Sequence, residues 1–309
     1  MAIDRCDRVV ILLATFNGGR FLQDQLDSFD RQRHENWELV VSDDGSSDET
    51  KVIIDQFRAG VKQPVTVVEG PRQGFWQNFM SLLRRESDAD YVALSDQDDV
   101  WLPEKLSNAI RFLDKIAPDR PAVYFTRTQL IDDANNVVGM SRLFRRPPSF
   151  RNALVQNIGG GNTMVLNRAA HRLLRAVEPD IAIVSHDWWI YQIVTGAGGI
   201  AYYDPKAALQ YRQHGENIVG SNIGIAARIT RLRAMMGGRV VSWNDVNEAA
   251  LHRVRHLLTD DSLMALDRFS RARRAPSLLK VFHLLRAGVY RQNLIETLGL
   301  YVGALAGRI

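Results

Sequence analysis

Apolar runs and helical spacings alternate along the first half of the chain. Val9-Val10-Ile11-Leu12-Leu13-Ala14 is a continuous apolar run and predicts a buried strand. Thr15-Phe16-Asn17-Gly18-Gly19 ends it with turn residues, and Phe21, Leu22, Gln25, Leu26 and Phe29 then recur at helical spacing. Trp37-Glu38-Leu39-Val40-Val41 predicts a second strand, closed by the polar stretch 42–48. A helix through Val52, Ile53 and Phe57, a strand over 65–68, a helix over 75–85 and a strand from Tyr91 follow. This strand-helix order implies an α/β fold, a mainly parallel Rossmann-like sheet covered by helices.

The middle is less regular. Residues 122–125 and 163–166 have strand character, 157–162 form a glycine-rich turn, and 187–194 carry a helical pattern. Residues 213–222 are polar and contain glycine, which suits a loop. Beyond them the chain turns helical and basic. Two parts are expected, a catalytic region over 1–221 and an amphipathic helical region over 222–309.

Charge sharpens that division. The overall formal charge is +4, yet residues 222–309 hold fourteen Lys and Arg against six Asp and Glu, a net +8, which leaves −4 for residues 1–221. The single cysteine, Cys6, excludes an internal disulfide and fits a reducing compartment. The first apolar run is too short for a signal peptide. No stretch reaches the roughly 18 uncharged apolar residues of a membrane-spanning helix. A cytoplasmic protein is expected.

The densest chemistry follows the Tyr91 strand. In Ser95-Asp96-Gln97-Asp98-Asp99-Val100-Trp101-Leu102-Pro103, three carboxylates stand within four residues. Such neighbours repel unless they share a cation. At a strand's C-terminal end they also lie where open α/β sheets bind ligands. A divalent-metal site that holds a diphosphate accounts for both. The plainer account is a solvated turn capping the helix near Pro103, but capping needs one carboxylate, not three. Asp43-Asp44-Gly45-Ser46 ends the second strand at the same edge as Thr15-Phe16-Asn17. Together these strand ends suit a base and ribose, although each alone reads equally as a turn.

The chain resembles family-two inverting glycosyltransferases of the GT-A fold. The resemblance rests on Ala14-Thr15-Phe16-Asn17-Gly18, Asp43-Asp44-Gly45-Ser46-Ser47-Asp48 and Asp96-Gln97-Asp98-Asp99-Val100-Trp101-Leu102-Pro103, in that order, and covers about residues 8–220. It implies transfer of a sugar from a nucleotide-sugar donor with Mg2+ or Mn2+. By the same resemblance Thr15, Phe16 and Asn17 line the base pocket and Asp44 bonds the base. Asp96 faces the ribose or donor sugar, Asp98 ligates the metal, and Arg72 is a donor contact. In the family an acidic pair, usually Glu-Asp, supplies the base that deprotonates the acceptor. Here Ser185-His186-Asp187-Trp188-Trp189 departs from it, so the base is expected on Asp187, with His186 as helper or alternative.

Trp188 and Trp189 suit stacking on an acceptor sugar, or packing in the core. Gly160 and Asn162 form either an acceptor-side wall or a plain turn. In Tyr211-Arg212-Gln213-His214-Gly215, Arg212 is expected to meet phosphate oxygens and His214 to be a third metal ligand. The wording of the last three motifs resembles the rhamnosyltransferase-like subgroup of bacterial polysaccharide assembly. That implies dTDP-L-rhamnose as donor, with a UDP-sugar as the alternative, and a glycan or lipid-linked acceptor. The basic tail reads as an interfacial anchor at the inner face of the cell membrane, a helical layer docked on the core, or a homodimer interface. Nucleic-acid binding lacks any motif. The rival functions are a sugar nucleotidyltransferase, whose N-terminal glycine-rich basic loop is not matched at 15–20, and an inactive binding module, which would be expected to lose Asp98 or Asp187.

Overall fold

The computed structural model describes residues 7–213 and 239–309. The chain opens with β1 (Val9–Thr15), α1 (Leu22–Asp30), β2 (Trp37–Asp43), α2 (Thr50–Gly60), β3 (Val65–Glu69), α3 (Phe75–Leu83) and β4 (Tyr91–Ser95). These four strands are parallel in the order β3-β2-β1-β4. β1 and β4 are interior strands with both faces covered, which is why their sequences are apolar runs rather than alternations.

The alternation survives in how the side chains divide. Val9, Ile11 and Leu13 pack with Leu26, Phe29, Trp101 and Leu106 on one side of the sheet. Val10 and Leu12 pack with Phe79, Leu94, Leu166 and Trp189 on the other. Register then fixes the functional edge. Thr15 pairs with Asp43, and Leu13 pairs with Ser95, so the polar ends of β1, β2 and β4 emerge side by side.

Next come β5 (Val100–Trp101), α4 (Lys105–Leu113), β6 (Ala122–Ile131), β7 (Val137–Met140), α5 (Phe150–Ala153), β8 (Val165–Asn167), α6 (Arg168–Arg175), α7 (His186–Gly196) and β9 (Ile200–Arg212). Among the described residues the full sheet runs β3-β2-β1-β4-β8-β6-β9-β5, with β7 on β6. β8 is antiparallel to both neighbours, while β6 and β9 run parallel. β5 is only two residues long. It pairs Val100 with Gln210 and Trp101 with Leu209, and so ties the carboxylate turn to the end of β9.

Four helices follow the undescribed stretch: α8 (Arg239–Arg253), α9 (Asp260–Arg274), α10 (Ser277–Ala287) and α11 (Leu294–Leu305). Their apolar residues Leu251, Leu266, Phe269, Leu284 and Leu300 join the same core as Val10, Leu12 and Phe79. Polar contacts reinforce the seam. Arg151 donates twice to Asp261, both at 2.7 Å, Asn152 Nδ2 donates to the Tyr290 carbonyl at 2.9 Å, and Arg142 pairs with Glu296. Much of the tail's positive charge is bonded within the protein. Arg253 meets Glu178 and Asp180, Arg255 meets Asp267, and Arg273 meets Glu248 and Asp245. No described helix is long and apolar enough to cross a membrane.

Candidate active site

The turn after β4 holds its three carboxylates at different depths. Asp99 is fully buried; Asn162 Nδ2 donates to one of its oxygens and the Arg212 backbone N–H donates to the other at 3.3 Å. Lys105 is buried beside them. Its ammonium donates to the Asn162 carbonyl and lies 3.4 Å from the centre of the Trp101 ring. Burial, with the charges of Asp98 and Asp96, pushes the Asp99 carboxyl well above its usual range. Burial pushes the Lys105 ammonium down, against the opposing pull of Asp99 and Asp96. Whichever of the two holds the proton, Lys105 and Asp99 together are neutral, so Lys105 balances one of the three carboxylates. None of the three caps α4, whose N-cap is Glu104 without a side-chain cap bond.

Asp96 and Asp98 are half-buried. The Asp96 carboxyl is pushed up to about 7, first by burial, then by the charges of Asp98 and Asp187, with Lys105 opposing. Burial is the larger cause, and the charges of Asp98 and Asp187 both reach Asp96.

Asp187 stands in the first turn of α7, where the helix dipole favours an anion. Its Oδ2 accepts from Asn157 Nδ2 at 2.9 Å and its Oδ1 from the Trp188 backbone N–H at 2.7 Å. His186, one residue earlier, turns the opposite way, into the core. Its ring stacks on Phe79 with centroids 4.0 Å apart, and neither ring nitrogen has a hydrogen-bond partner among the described residues. Burial pushes it down to about 4, against the pull of Asp187, so it is neutral at ordinary pH.

On the donor side, the strand ends are cross-braced. Thr15 Oγ1 donates to Asp43 Oδ1 at 3.2 Å, and the Ser46 N–H donates to Asp43 Oδ2 at 3.0 Å. Asn17 adopts a left-handed φ of 48° and its side chain accepts from the Ser47 N–H at 2.9 Å. Gln97 receives the Phe16 N–H at 2.8 Å and returns a bond to the Phe16 carbonyl at 3.0 Å. The Phe16 ring is left 56% exposed at the rim. Asp44 accepts the backbone N–H groups of Arg72 at 2.6 Å and Gly74 at 3.0 Å. It thereby shapes the 70–74 loop, while the Arg72 side chain extends into solvent.

Four residues fall elsewhere than their motifs suggest. The Arg212 side chain is 0% exposed. Its guanidinium donates to the Asp98 carbonyl at 2.9 Å, to the Asp132 and Asp133 carbonyls at 3.3 Å and to Asp24 at 2.8 Å, over the Phe21 ring. It braces the carboxylate turn from behind and presents nothing to a phosphate. Trp188 and Trp189 are core residues, not a sugar platform; the Trp188 indole N–H donates to the Ala153 carbonyl at 2.7 Å. Asn162 leaves the acceptor wall for Asp99. Gly160 remains exposed, at the start of the turn that carries Asn162. His214 lies outside the described residues.

Sequence reasoning missed Lys105, Gln97, Asn157 and the rim aromatic Phe75, which is exposed 6.0 Å from the His186 ring centre. Lys105 sits two residues beyond the Pro103 that ended the motif, and only its burial distinguishes it from a surface lysine.

Among the described residues no three His, Cys, Asp or Glu side chains converge as a complete metal cage. Two half-buried carboxylates at a diphosphate-sized edge do fit Mg2+ or Mn2+. Such ions take one or two protein carboxylates and complete their shell with water and substrate phosphates. Asp96 and Asp98 stand close enough for each other's charge to matter, which is the donor set a divalent ion takes.

Known proteins share this fold. Solved structures with a similar fold include Staphylococcus aureus TarS in complex with UDP-GlcNAc, 17% identical with a TM-score of 0.56 over 96% of this chain and 81% of that one. Another is the Pyrobaculum calidifontis mannosyltransferase PcManGT with GDP-Man and Mn2+, 18% identical with a TM-score of 0.52 over 97% and 86%. The fold is GT-A. In sequence, the chain is 27% identical over 235 residues to the dTDP-rhamnosyl transferase RfbG of Shigella flexneri, covering 71% of this chain and 78% of that protein. The family model for glycosyl transferase family 2 matches residues 10–178, from β1 through the carboxylate turn to the segment before α7, and the chain belongs to that family.

Proposed function

We propose that this glycosyltransferase is an inverting, metal-dependent enzyme that moves L-rhamnose from dTDP-L-rhamnose to a hydroxyl of a glycan or lipid-linked acceptor in bacterial surface polysaccharide assembly, at the cytoplasmic face of the membrane. The observation that carries the chemistry is the electrostatic meeting of Asp96 and Asp98 with Asp187. On this reading the carboxylates on the nucleotide side and the base on the acceptor side face one substrate. The rhamnose donor is supported by the likeness to RfbG and by the wording of the motifs.

In the reaction, the acceptor oxygen attacks the anomeric carbon from the face opposite the diphosphate. Asp187 takes the hydroxyl proton as the new carbon–oxygen bond forms. The bond from the anomeric carbon to the diphosphate oxygen breaks, and its electron pair leaves with the diphosphate. Asn157 and the Trp188 backbone N–H hold the Asp187 carboxylate in place at the start of α7. Asp98 and Asp96 would hold the Mg2+ or Mn2+, which when bound neutralises diphosphate charge. Asp44, through the Arg72 and Gly74 amides, sets the loop beside the base, and the Phe16 ring offers it an exposed face.

The test is turnover with a common acceptor, comparing dTDP-rhamnose with UDP-sugars, with and without Mn2+. Transfer from dTDP-rhamnose that stops in chelator supports the reading. Faster turnover of a UDP-sugar removes the rhamnose assignment. Calorimetric binding of dTDP that is indifferent to Mn2+ removes the metal.

A further inference from the structure

The two last helices each have a buried face and a bare one. On α11, Thr297, Leu300 and Ala304 are buried, whereas Leu294, Ile295, Leu298, Val302 and Leu305 are exposed, Leu294 and Ile295 at 74% and 76%. At about 100° per residue these five fall on an arc about 100° wide, away from the buried stripe. On α10, Leu284 and Ala287 are buried, and Leu279, Phe282 and Leu285 are exposed on the other side. The helices pack on each other. Half of each is thus explained by docking on the core. The outward halves, eight large apolar side chains, are not.

Charge indicates what covers them. Residues 277–309 contain Lys280, Arg286, Arg291 and Arg308 against a single acid, Glu296. That acid is engaged by Arg142 and Arg291. Arg286 lies over the Phe282 ring, on the margin of the bare face of α10. An apolar face with Arg286 at its margin, in a segment of net positive charge whose one acid is neutralised, complements an anionic lipid surface. A self-complementary protein contact would need acids to meet these cations. No described helix can span a bilayer, so contact of this kind is interfacial.

We propose that the outward faces of α10 and α11 form a membrane-docking surface for anionic phospholipid, on which the protein lies by shallow insertion of these side chains.

The experiment is vesicle flotation of the full-length protein, which reads no transfer chemistry and so stands or falls separately from the proposed reaction. Vesicles are phosphatidylcholine alone or mixed with phosphatidylglycerol. The expected result is co-flotation with the anionic vesicles that weakens as salt rises. Ile295→Gln combined with Leu298→Gln and Val302→Gln, all solvent-facing, should abolish it while leaving the circular dichroism spectrum unchanged. Arg286→Gln should weaken partitioning by roughly fivefold at low salt. No flotation with anionic vesicles at low salt overturns the proposal. So does flotation that the triple variant does not change, or a wild-type dimer that the triple variant converts to monomer, since a second copy would then be what covers the face.

Discussion

Each carboxylate at the edge of the sheet has its own environment, and the environments assign tasks that spacing alone leaves open. Asp187→Asn is nearly isosteric and keeps the bond from Asn157, but it takes no proton. The kcat should fall by about 10²–10⁴-fold with dTDP affinity little changed, read from steady-state kinetics and calorimetry. His186→Ala should cost less in kcat, because the imidazole is buried and stacked on Phe79. A larger loss at His186 would reverse the assignment. Asp96 gives a pH prediction. An unfolded aspartate titrates near 3.9, and the folded one near 7. Between those values the folded state retains a proton that the unfolded chain has released. This contribution is fully present below about pH 4 and is lost as pH rises through about 7. In chelator at pH 8, Asp96→Asn should therefore be the more stable protein, by about 1–3 kcal/mol once partial exposure is allowed for. The advantage should vanish near pH 4 in urea titrations. At this scale the motifs were legible, since clustered acids and strand-end turns are local patterns. The inward fate of Arg212, Trp188, Trp189 and Asn162 was not. Their partners, Asp24 for Arg212 and Asp99 for Asn162, lie far off in sequence and meet them only in the fold.

Short elements carry much of the site's precision. Two residues of β5 pin one end of the carboxylate turn to β9, and the guanidinium of Arg212, the last residue of β9, bonds the turn's backbone. The turn from Gly161 to Thr163 presses equally closely. A Cβ on Gly161 would meet His186 Nε2 at 2.1 Å, with Phe79 closing the other face of that ring. Gly161→Ala should cost about 1–3 kcal/mol in denaturant unfolding, because ring and turn cannot both give way. Asp44→Ala removes the acceptor of two loop amides. Hydrogen exchange at Arg72 and Gly74 should quicken and the donor KM should rise, with kcat less affected. The parallel run β1 to β4 and its helices were legible because interior strands are uninterrupted apolar stretches and their helices keep a clear period. β5 and β7 were not. Two and four residues are too few to show a period, and their partners are remote strands.

At the scale of the whole molecule, the basic tail is part of the body it follows. Charge asymmetry marked it out, but sequence could not tell a docked layer from an anchor, because α10 and α11 carry apolar residues on both their buried and their bare faces. Truncation before Ser277 would strip Leu284, Ala287, Val289, Leu300 and Ala304 from the common core. The shortened protein should lose its cooperative unfolding transition, or show a much lower midpoint, in thermal melts followed by circular dichroism. Point changes on the bare faces should not. Lys105 has a consequence for the cycle as a whole. In the proposed cycle, release of the nucleoside diphosphate would also carry off the cation that came in with it. Between products leaving and the next donor arriving, the edge of the sheet must hold together unaided. Lys105, buried in the scaffold with Asp99, would stay when the others go, so one carboxylate is balanced from within and the resting edge keeps its shape.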